Sequence, residues 1–143
     1  MGKGRISSGA PGAVPVRILL AEDDEISQAI VEQMLAALAD VELTIVSDGR
    51  EALLACVASK FDLLIIDRKM PLINGDRLIR QLRASRNLNS ETPIILFSAS
   101  TAAELRDMGA SCPADLILSK PIKAGEFLAA VQTLIAKPAG CVA

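Results

Sequence analysis

Residues 62–67, with the sequence DLLIID, decide how this chain folds, and residues 69–71, KMP, turn the chain sharply after them. Four consecutive large apolar residues ahead of an acid are typical of a strand that is buried on both faces of a sheet. Asp67 then stands at the end of that strand. The stretch therefore predicts a buried strand that presents a carboxylate at a position where chemistry can use it.

The same pattern, an apolar run that ends in a polar group, occurs three more times. Residues 16–21 lead to the acids Glu22, Asp23 and Asp24, residues 94–97 lead to Ser98, and residues 116–118 lead through Ser119 to Lys120. The sequence therefore predicts acids, a hydroxyl and a cation at one end of four strands.

Helical patterns alternate with these strands. Two stretches have the periodicity of a helix, one at Ile26, Ile30, Met34 and Leu38 and one at Phe127, Val131 and Leu134. Further helices are predicted at about 51–59, 76–84 and 102–108, a further strand at 43–46, and turns at 47–49 and 74–75. Five strands alternating with five helices predict an α/β fold, with a parallel sheet covered on both faces.

The length of 143 residues predicts a single domain. We expect residues 1–15, which are rich in Gly, Ser and Pro, to be a flexible leader or linker. The domain itself is predicted at 16–136, followed by a flexible tail at 137–143. We expect no DNA-binding or enzymatic domain to fit after Ile135, and therefore either a stand-alone domain or a fragment.

Composition narrows the possible functions. The net charge of -2 does not suggest direct binding to nucleic acid, and no apolar stretch is long enough to span a bilayer. The chain has no histidine, which excludes imidazole-based acid–base catalysis and most zinc sites. The three cysteines have no metal-binding spacing and favour a reducing, cytoplasmic setting.

The carboxyl ends of parallel strands form the ligand site of a doubly wound sheet. Two carboxylates about 4 Å apart repel each other by roughly 4 kcal/mol at an effective dielectric near 20, so converging acids need a counter-charge. Mg²⁺ is the natural candidate, because it binds a few carboxylates together with water and phosphate oxygens. Lys120 would add a point charge for the same phosphate.

At this point the chain resembles the receiver domains of two-component response regulators. The resemblance covers about residues 16–135 and rests on five ordered motifs. These are ILLAED at 18–23, DLLIID at 62–67, Met70-Pro71 with Gly75, Pro93 through Ser98-Ala99, and Ser119-Lys120-Pro121. It implies a flavodoxin-like (βα)5 fold with strand order 2-1-3-4-5.

The resemblance also implies a role for each site residue. Asp67 would be the phosphoacceptor, Glu22, Asp23 and Asp67 would bind Mg²⁺ together with the Lys69 backbone carbonyl, and Ser98 and Lys120 would contact the phosphoryl group. The donor would be a phosphohistidine on a histidine kinase or histidine phosphotransfer protein. Phosphorylation would change the face formed by the fourth helix, fifth strand and fifth helix, in a monomer or a phosphorylation-dependent dimer. Such a domain regulates a partner or passes the phosphoryl group on, and catalyses only its own phosphotransfer and dephosphorylation.

Two features depart from the family pattern. Receivers commonly carry Tyr or Phe three residues before the lysine, and Ile117 occupies that switch position here. The connection before the last strand is a few residues longer than in the family pattern, and residues 111–113 are the expected insertion. The stretch around residues 21–27, AEDDEIS, resembles receivers attached to hybrid histidine kinases, so a fragment of such a kinase is one possible origin.

Other interpretations remain open at this stage. Asp67, Lys120 and Ser98 are also typical of ordinary turns, and acids after the first strand also complement a helix N-terminus, which is the role we expect for Asp24. The chain is alternatively a receiver-like binding module that signals without phosphorylation. A hydrolase of the haloacid dehalogenase type also uses an Asp nucleophile with Mg²⁺, but it requires a second acid where this chain has Lys69.

Overall fold

Six strands form one sheet in the order β1-β3-β2-β4-β5-β6 in the computed structural model, which describes residues 2–6, 15–38, 40–98 and 114–135. The strands are β1 (Gly2–Ile6), β2 (Val16–Ala21), β3 (Val41–Val46), β4 (Leu63–Asp67), β5 (Ile94–Ser98) and β6 (Leu116–Ser119). The described helices are α1 (Glu25–Leu35), α2 (Gly49–Ala58), α3 (Gly75–Ala84) and α4 (Ala124–Ile135).

The five strands from β2 to β6 are parallel, as predicted. Counted among themselves in chain order, they have the predicted order 2-1-3-4-5. The chain passes from β2 outward to β3 and then crosses to β4 on the other side of β2, so the winding reverses between β2 and β4. That reversal opens a crevice at their carboxyl ends.

The strand β1 differs from the expectation of a flexible leader at residues 1–15. It pairs antiparallel with the outer edge of β3, in a register that sets Arg5 opposite Glu42 and Ile6 opposite Val41. The segment has a single large apolar residue and two glycines, so local propensity gives little indication of a strand. The unpaired backbone N–H and C=O groups along the edge of β3 supply hydrogen-bonding partners, and these favour a strand where local propensity does not.

Two apolar layers cover the sheet, and successive residues of each central strand alternate between them. One layer lies beneath α2 and α3 and includes Ala52, Cys56, Leu78, Ile79 and Leu82. The other lies beneath α1 and α4 and includes Val31, Leu35, Phe127 and Val131. All five residues of β4 and of β5 are buried, which explains why those strands have continuous apolar sequences.

The helix α1 forms where its periodicity predicts, but its buried stripe is offset from the repeat that revealed it. Val31 and Leu35 are fully buried, whereas Ile26 is 70% exposed and Ile30 is 42% exposed. The i+4 spacing therefore identified the helix without identifying the face that packs on the sheet.

The residues predicted as turns begin the next helices. Asp48 is the N-cap of α2 and accepts the Glu51 N–H at 2.7 Å, and Asn74 is the N-cap of α3. A Cβ on Gly49 would clash with the carbonyl oxygen of Ile73, so glycine is required for the close approach of the β4–α3 loop to α2.

Several expectations concern segments outside the described residues. These are the helix at 102–108, the insertion at 111–113, the tail at 137–143 and the cysteines at 112 and 141. Within the described ranges, Cys56 and Met70 are buried, and Met34 packs at the margin of the layer beneath α1 and α4. None of the helices in the described ranges is both long and apolar enough to cross a membrane.

Candidate active site at the carboxyl ends of β2, β4, β5 and β6

The β2–α1 loop carries three acids in different environments. Glu22 is buried, and its backbone N–H donates to the Val46 carbonyl at 3.0 Å, which continues the pairing of β2 with β3. Asp23 is exposed. Asp24 is the N-cap of α1 and accepts the Ser27 N–H at 2.9 Å, which confirms the capping role expected for it. This hydrogen bond also lowers the pKa of Asp24.

Lys120 joins the two buried acids across the crevice. Its Nζ lies 3.1 Å from Oε1 of Glu22 and 3.1 Å from Oδ1 of Asp67. The backbone N–H of Lys120 donates to the Ser98 carbonyl at 2.9 Å, which ties the end of β6 to the end of β5. Four separate strand ends thus contribute to one polar cluster.

The electrostatics of this cluster are dominated by burial. Burial raises the pKa of Glu22 to about 7, repulsion from Asp67 adds to the rise, and the hydrogen bond from Lys120 opposes it. Burial likewise raises the pKa of Asp67, against the hydrogen bond from Lys120. Burial lowers the pKa of Lys120, but its contacts with the two carboxylates outweigh that effect and the net direction is upward.

The donor set fits a hard divalent cation. One carboxylate oxygen from each of Glu22, Asp23 and Asp67 lies within 4.8 Å of the other two. Mg²⁺ prefers oxygen ligands and keeps several waters, so a small group of carboxylates at the rim of a crevice matches its requirements. It would also offset the cost of holding charged carboxylates out of water.

Ser98 supplies an unsatisfied hydroxyl to the same crevice. The residue is 1% exposed, and its Oγ makes no hydrogen bond with any described residue. A buried hydroxyl without a partner costs about 1–3 kcal/mol. A ligand oxygen that entered the crevice would satisfy it.

The β4–α3 loop passes close beneath Asp67. The Gly75 N–H donates to the Arg68 carbonyl at 2.7 Å, and a Cβ on Gly75 would clash with the carbonyl oxygen of Asp67. Glycine is therefore required for the loop to fold back on the strand end. The Lys69 side chain is exposed. The role of the Lys69 carbonyl in a metal site stays a prediction.

Ile117 lies on β6, on the sheet face that α2 and α3 cover, where it is partly buried against the core. The neighbouring Leu118 faces the layer of α1 and α4. An aliphatic side chain therefore fills the position where the family carries the switch aromatic. The role of Ile117 as a switch residue stays a prediction.

Gln28 is a residue that sequence reasoning did not identify. Its side-chain Nε2 donates to the Glu22 carbonyl at 2.6 Å, so it contacts the backbone of the acidic loop directly. A glutamine in the first turns of a helix is ordinary, and nothing in the sequence pattern distinguishes it from Gln33. The contact depends on the three-dimensional path of the loop.

A family model described as the response regulator receiver domain matches residues 18–132. Among curated proteins, the chain is 30% identical over 124 residues to the transcriptional regulatory protein PrrA of Mycobacterium tuberculosis, covering 87% of this chain and 52% of PrrA. It is 33% identical over 126 residues to the response regulator MprA of Mycolicibacterium vanbaalenii, with coverage of 85% and 51%. The chain thus spans about half the length of these relatives.

Solved structures show the same likeness. The receiver domain of the sensor histidine kinase PA1611 from Pseudomonas aeruginosa, with a magnesium ion coordinated in its active site cleft, has a TM-score of 0.78 at 28% identity, covering 86% of this chain and 99% of that one. The chemotaxis response regulator CheY4 of Vibrio cholerae has a TM-score of 0.75 at 26% identity, with coverage of 85% and 99%.

Proposed function

The chain belongs to the response regulator receiver domain family, and on that premise we propose that Asp67 accepts a phosphoryl group from a phosphohistidine donor. The observation that carries this proposal is the Lys120 ammonium, which lies 3.1 Å from Oδ1 of Asp67 at the crevice where the winding of the sheet reverses. A buried carboxylate next to a fixed cation is a suitable nucleophile for an anionic substrate.

The transfer requires one bond to form and one to break. A carboxylate oxygen of Asp67 forms an O–P bond to the incoming phosphorus as the P–N bond to the donor imidazole breaks, and the bonding pair leaves with the imidazole nitrogen. The Lys120 ammonium group then interacts with the phosphoryl oxygens as well as with Asp67. The Ser98 hydroxyl, which has no partner among the described residues, donates to one of those oxygens.

Glu22, Asp23 and Asp67, together with the Lys69 carbonyl, would hold Mg²⁺ in this proposal. When bound there, the cation would supply positive charge to offset the negative charge of the phosphoryl oxygens. Burial, and after it repulsion from Asp67, raises the pKa of Glu22, and a cation bound beside it would favour the charged form of this carboxylate.

Phosphorylation would then change the face to which β6 and α4 belong, and so regulate a partner or pass the phosphoryl group on. The end of β5 offers a route. Phe97 precedes Ser98 and contacts Phe127 of α4, with ring centroids 5.6 Å apart. Movement of Ser98 toward a phosphoryl oxygen would shift this aromatic contact, in place of the missing aromatic at Ile117. A kinase or phosphotransfer protein is the proposed partner, and a cytoplasmic setting with a monomer or phosphorylation-dependent dimer is part of the same proposal.

A phosphorylation-independent binding module is the second candidate, and Ile117 is the observation that favours it. The intact group of Glu22, Asp67 and Lys120, with its contacts of 3.1 Å, favours the phosphoacceptor role. Two buried carboxylates and a buried hydroxyl cost stability, and a module that only binds a partner does not require them.

Intact-protein mass spectrometry after incubation with acetyl phosphate and Mg²⁺ tests the proposal. We expect one added phosphoryl group in the wild type, and none in Asp67→Asn or when a chelator replaces the metal. The binding module would be favoured instead if the wild type gave no adduct with acetyl phosphate or with phosphohistidine donors and did not bind beryllofluoride.

A further inference from the structure

We infer that Gln28 is a positioning residue for Asp23, the exposed carboxylate of the proposed Mg²⁺ site. It acts by holding the Glu22 carbonyl, which belongs to the peptide group immediately before Asp23. This inference rests on the proposed function, because it assigns Gln28 a role toward the cation that Glu22, Asp23 and Asp67 are proposed to bind.

Gln28 makes two hydrogen bonds to the β2–α1 loop. Its side-chain Nε2 donates to the Glu22 carbonyl at 2.6 Å, and its backbone N–H donates to the Asp24 carbonyl at 2.9 Å. The two acceptors are the residues immediately before and after Asp23. The backbone bond occurs in the first turn of any helix, so the side-chain bond is the contribution that is specific to glutamine.

Within the described residues, Asp23 has no hydrogen bond or ion pair that would fix its side chain. The carboxylate is exposed, and no hydrogen bond or ion pair joins it to another residue of the described ranges. Glu22 differs, because Lys120 Nζ contacts one of its oxygens at 3.1 Å and the Asp24 N–H donates to the other at 3.2 Å. The direction of the Asp23 carboxylate therefore depends on the path of its backbone.

The Gln28 amide holds that path at the carbonyl immediately before Asp23. Without the amide, the Glu22 carbonyl loses its side-chain partner and the Glu22–Asp23 peptide plane is freer to rotate. A cation would then have to order the loop when it binds. Residues that orient metal ligands from outside typically change metal affinity by about 10–100-fold when they are replaced.

The variant Gln28→Met keeps the length and neutrality of the side chain and removes only its hydrogen-bonding groups. Gln33→Met is the matched control, because Gln33 is an exposed glutamine on the same helix and undergoes the same chemical change. Mg²⁺ alone is titrated into each full-length protein, and affinity is followed by two-dimensional amide NMR. Urea unfolding in chelator measures the stability of the metal-free protein.

We expect Gln28→Met to weaken Mg²⁺ binding about tenfold, which is the lower end of the range for residues that orient metal ligands without contacting the metal. Gln33→Met should bind Mg²⁺ like the wild type. The urea midpoints in chelator distinguish this role from a purely structural one, in which Gln28→Met would lower the midpoint without changing the Mg²⁺ affinity.

Equal Mg²⁺ affinity in Gln28→Met, Gln33→Met and the wild type would overturn the inference and leave the proposed metal site intact. Equal weakening in both variants, or a Gln28→Met protein that is unfolded in chelator, would also overturn it, because Gln28 would then serve the helix and not the site. A wild type that does not bind Mg²⁺ at all would overturn the metal assignment itself, which is a different and recognisable result.

Discussion

Lys120 balances the charge of two buried carboxylates, so its loss should be costly in the metal-free protein. Replacing it by Met leaves Glu22 and Asp67 buried without their cation, each having lost a contact of 3.1 Å. We expect the free energy of unfolding in chelator to fall by about 3 kcal/mol, as when one partner of a buried ion pair is removed. Urea unfolding measures it. Lys123→Met, at an exposed neighbouring position, should change it little, and equal losses in the two variants would contradict the charge-balancing role.

Glu22 should make the stability of the metal-free protein depend on pH. Its pKa is raised from 4.5 to about 7 in the folded protein, so between these values the unfolded chain releases a proton that the folded protein retains. The free energy of unfolding should therefore decrease as pH rises from about 5 to 7. Urea unfolding in chelator at several pH values measures the slope.

Glu22→Gln is the control for this pH dependence, because it removes the titrating group and keeps the shape of the side chain. The decrease between pH 5 and 7 should be smaller in the variant, with the remainder due to Asp67, whose pKa is raised in the same direction. A slope that is identical in the variant and the wild type would show that Glu22 does not carry this linkage.

The positions of single residues in the cluster were predictable where those residues lie at the end of a strand. Asp67, Ser98 and Lys120 each follow an apolar run, and parallel strands bring the ends of such runs together at one edge. Gln28 was not predictable, because its partner is a backbone carbonyl six residues earlier and the contact depends on the path of the loop.

Asn89 joins two loops at the opposite end of the sheet from the site. The residue is fully buried, its Nδ2 donates to the carbonyls of Cys56 and Ser59 at 2.6 and 2.7 Å, and its Oδ1 accepts the Phe61 N–H at 2.8 Å. It thereby fixes the entry to β4. A buried amide with every group satisfied specifies a loop conformation more sharply than apolar packing does.

We expect Asn89→Ala to lower the free energy of unfolding by about 2–4 kcal/mol, because three backbone groups, two of them in buried hydrogen bonds, lose this partner at once. Thermal or urea unfolding measures the change. Leu88→Ala, at a neighbouring position that is 51% exposed, is the control and should have an effect below about 1 kcal/mol. A similar small effect for Asn89→Ala would contradict the role of Asn89 in joining the loops.

The helices and the parallel strands were predictable because their apolar patterns are long and local. The face of α1 was harder, since Ile26 and Ile30 continue its periodicity while Val31 and Leu35 make the contacts with the sheet. The strand β1 was not predictable, because its pairing is supplied by the edge of β3 and not by its own sequence. Local pattern thus determines which elements form, and tertiary contacts determine which surfaces they use.

The whole molecule places its chemistry at a single edge of the sheet. The order of the parallel strands brings the acids after β2 and β4 together, and the ends of β5 and β6 add Ser98 and Lys120. This arrangement follows from the topology alone, which is why the convergence of these residues was predictable before any distance was known. The distances that couple Lys120 to both carboxylates required the structure.

Mapping the phosphoryl group to a residue tests directly whether Asp67 is the phosphoacceptor. The protein is phosphorylated with acetyl phosphate and Mg²⁺, reduced with borohydride to convert an aspartyl phosphate to homoserine, and analysed by peptide mass spectrometry. We predict homoserine at position 67 and at no other acidic position. Conversion at Asp23 or elsewhere in a protein that leaves Asp67 unmodified would contradict this prediction.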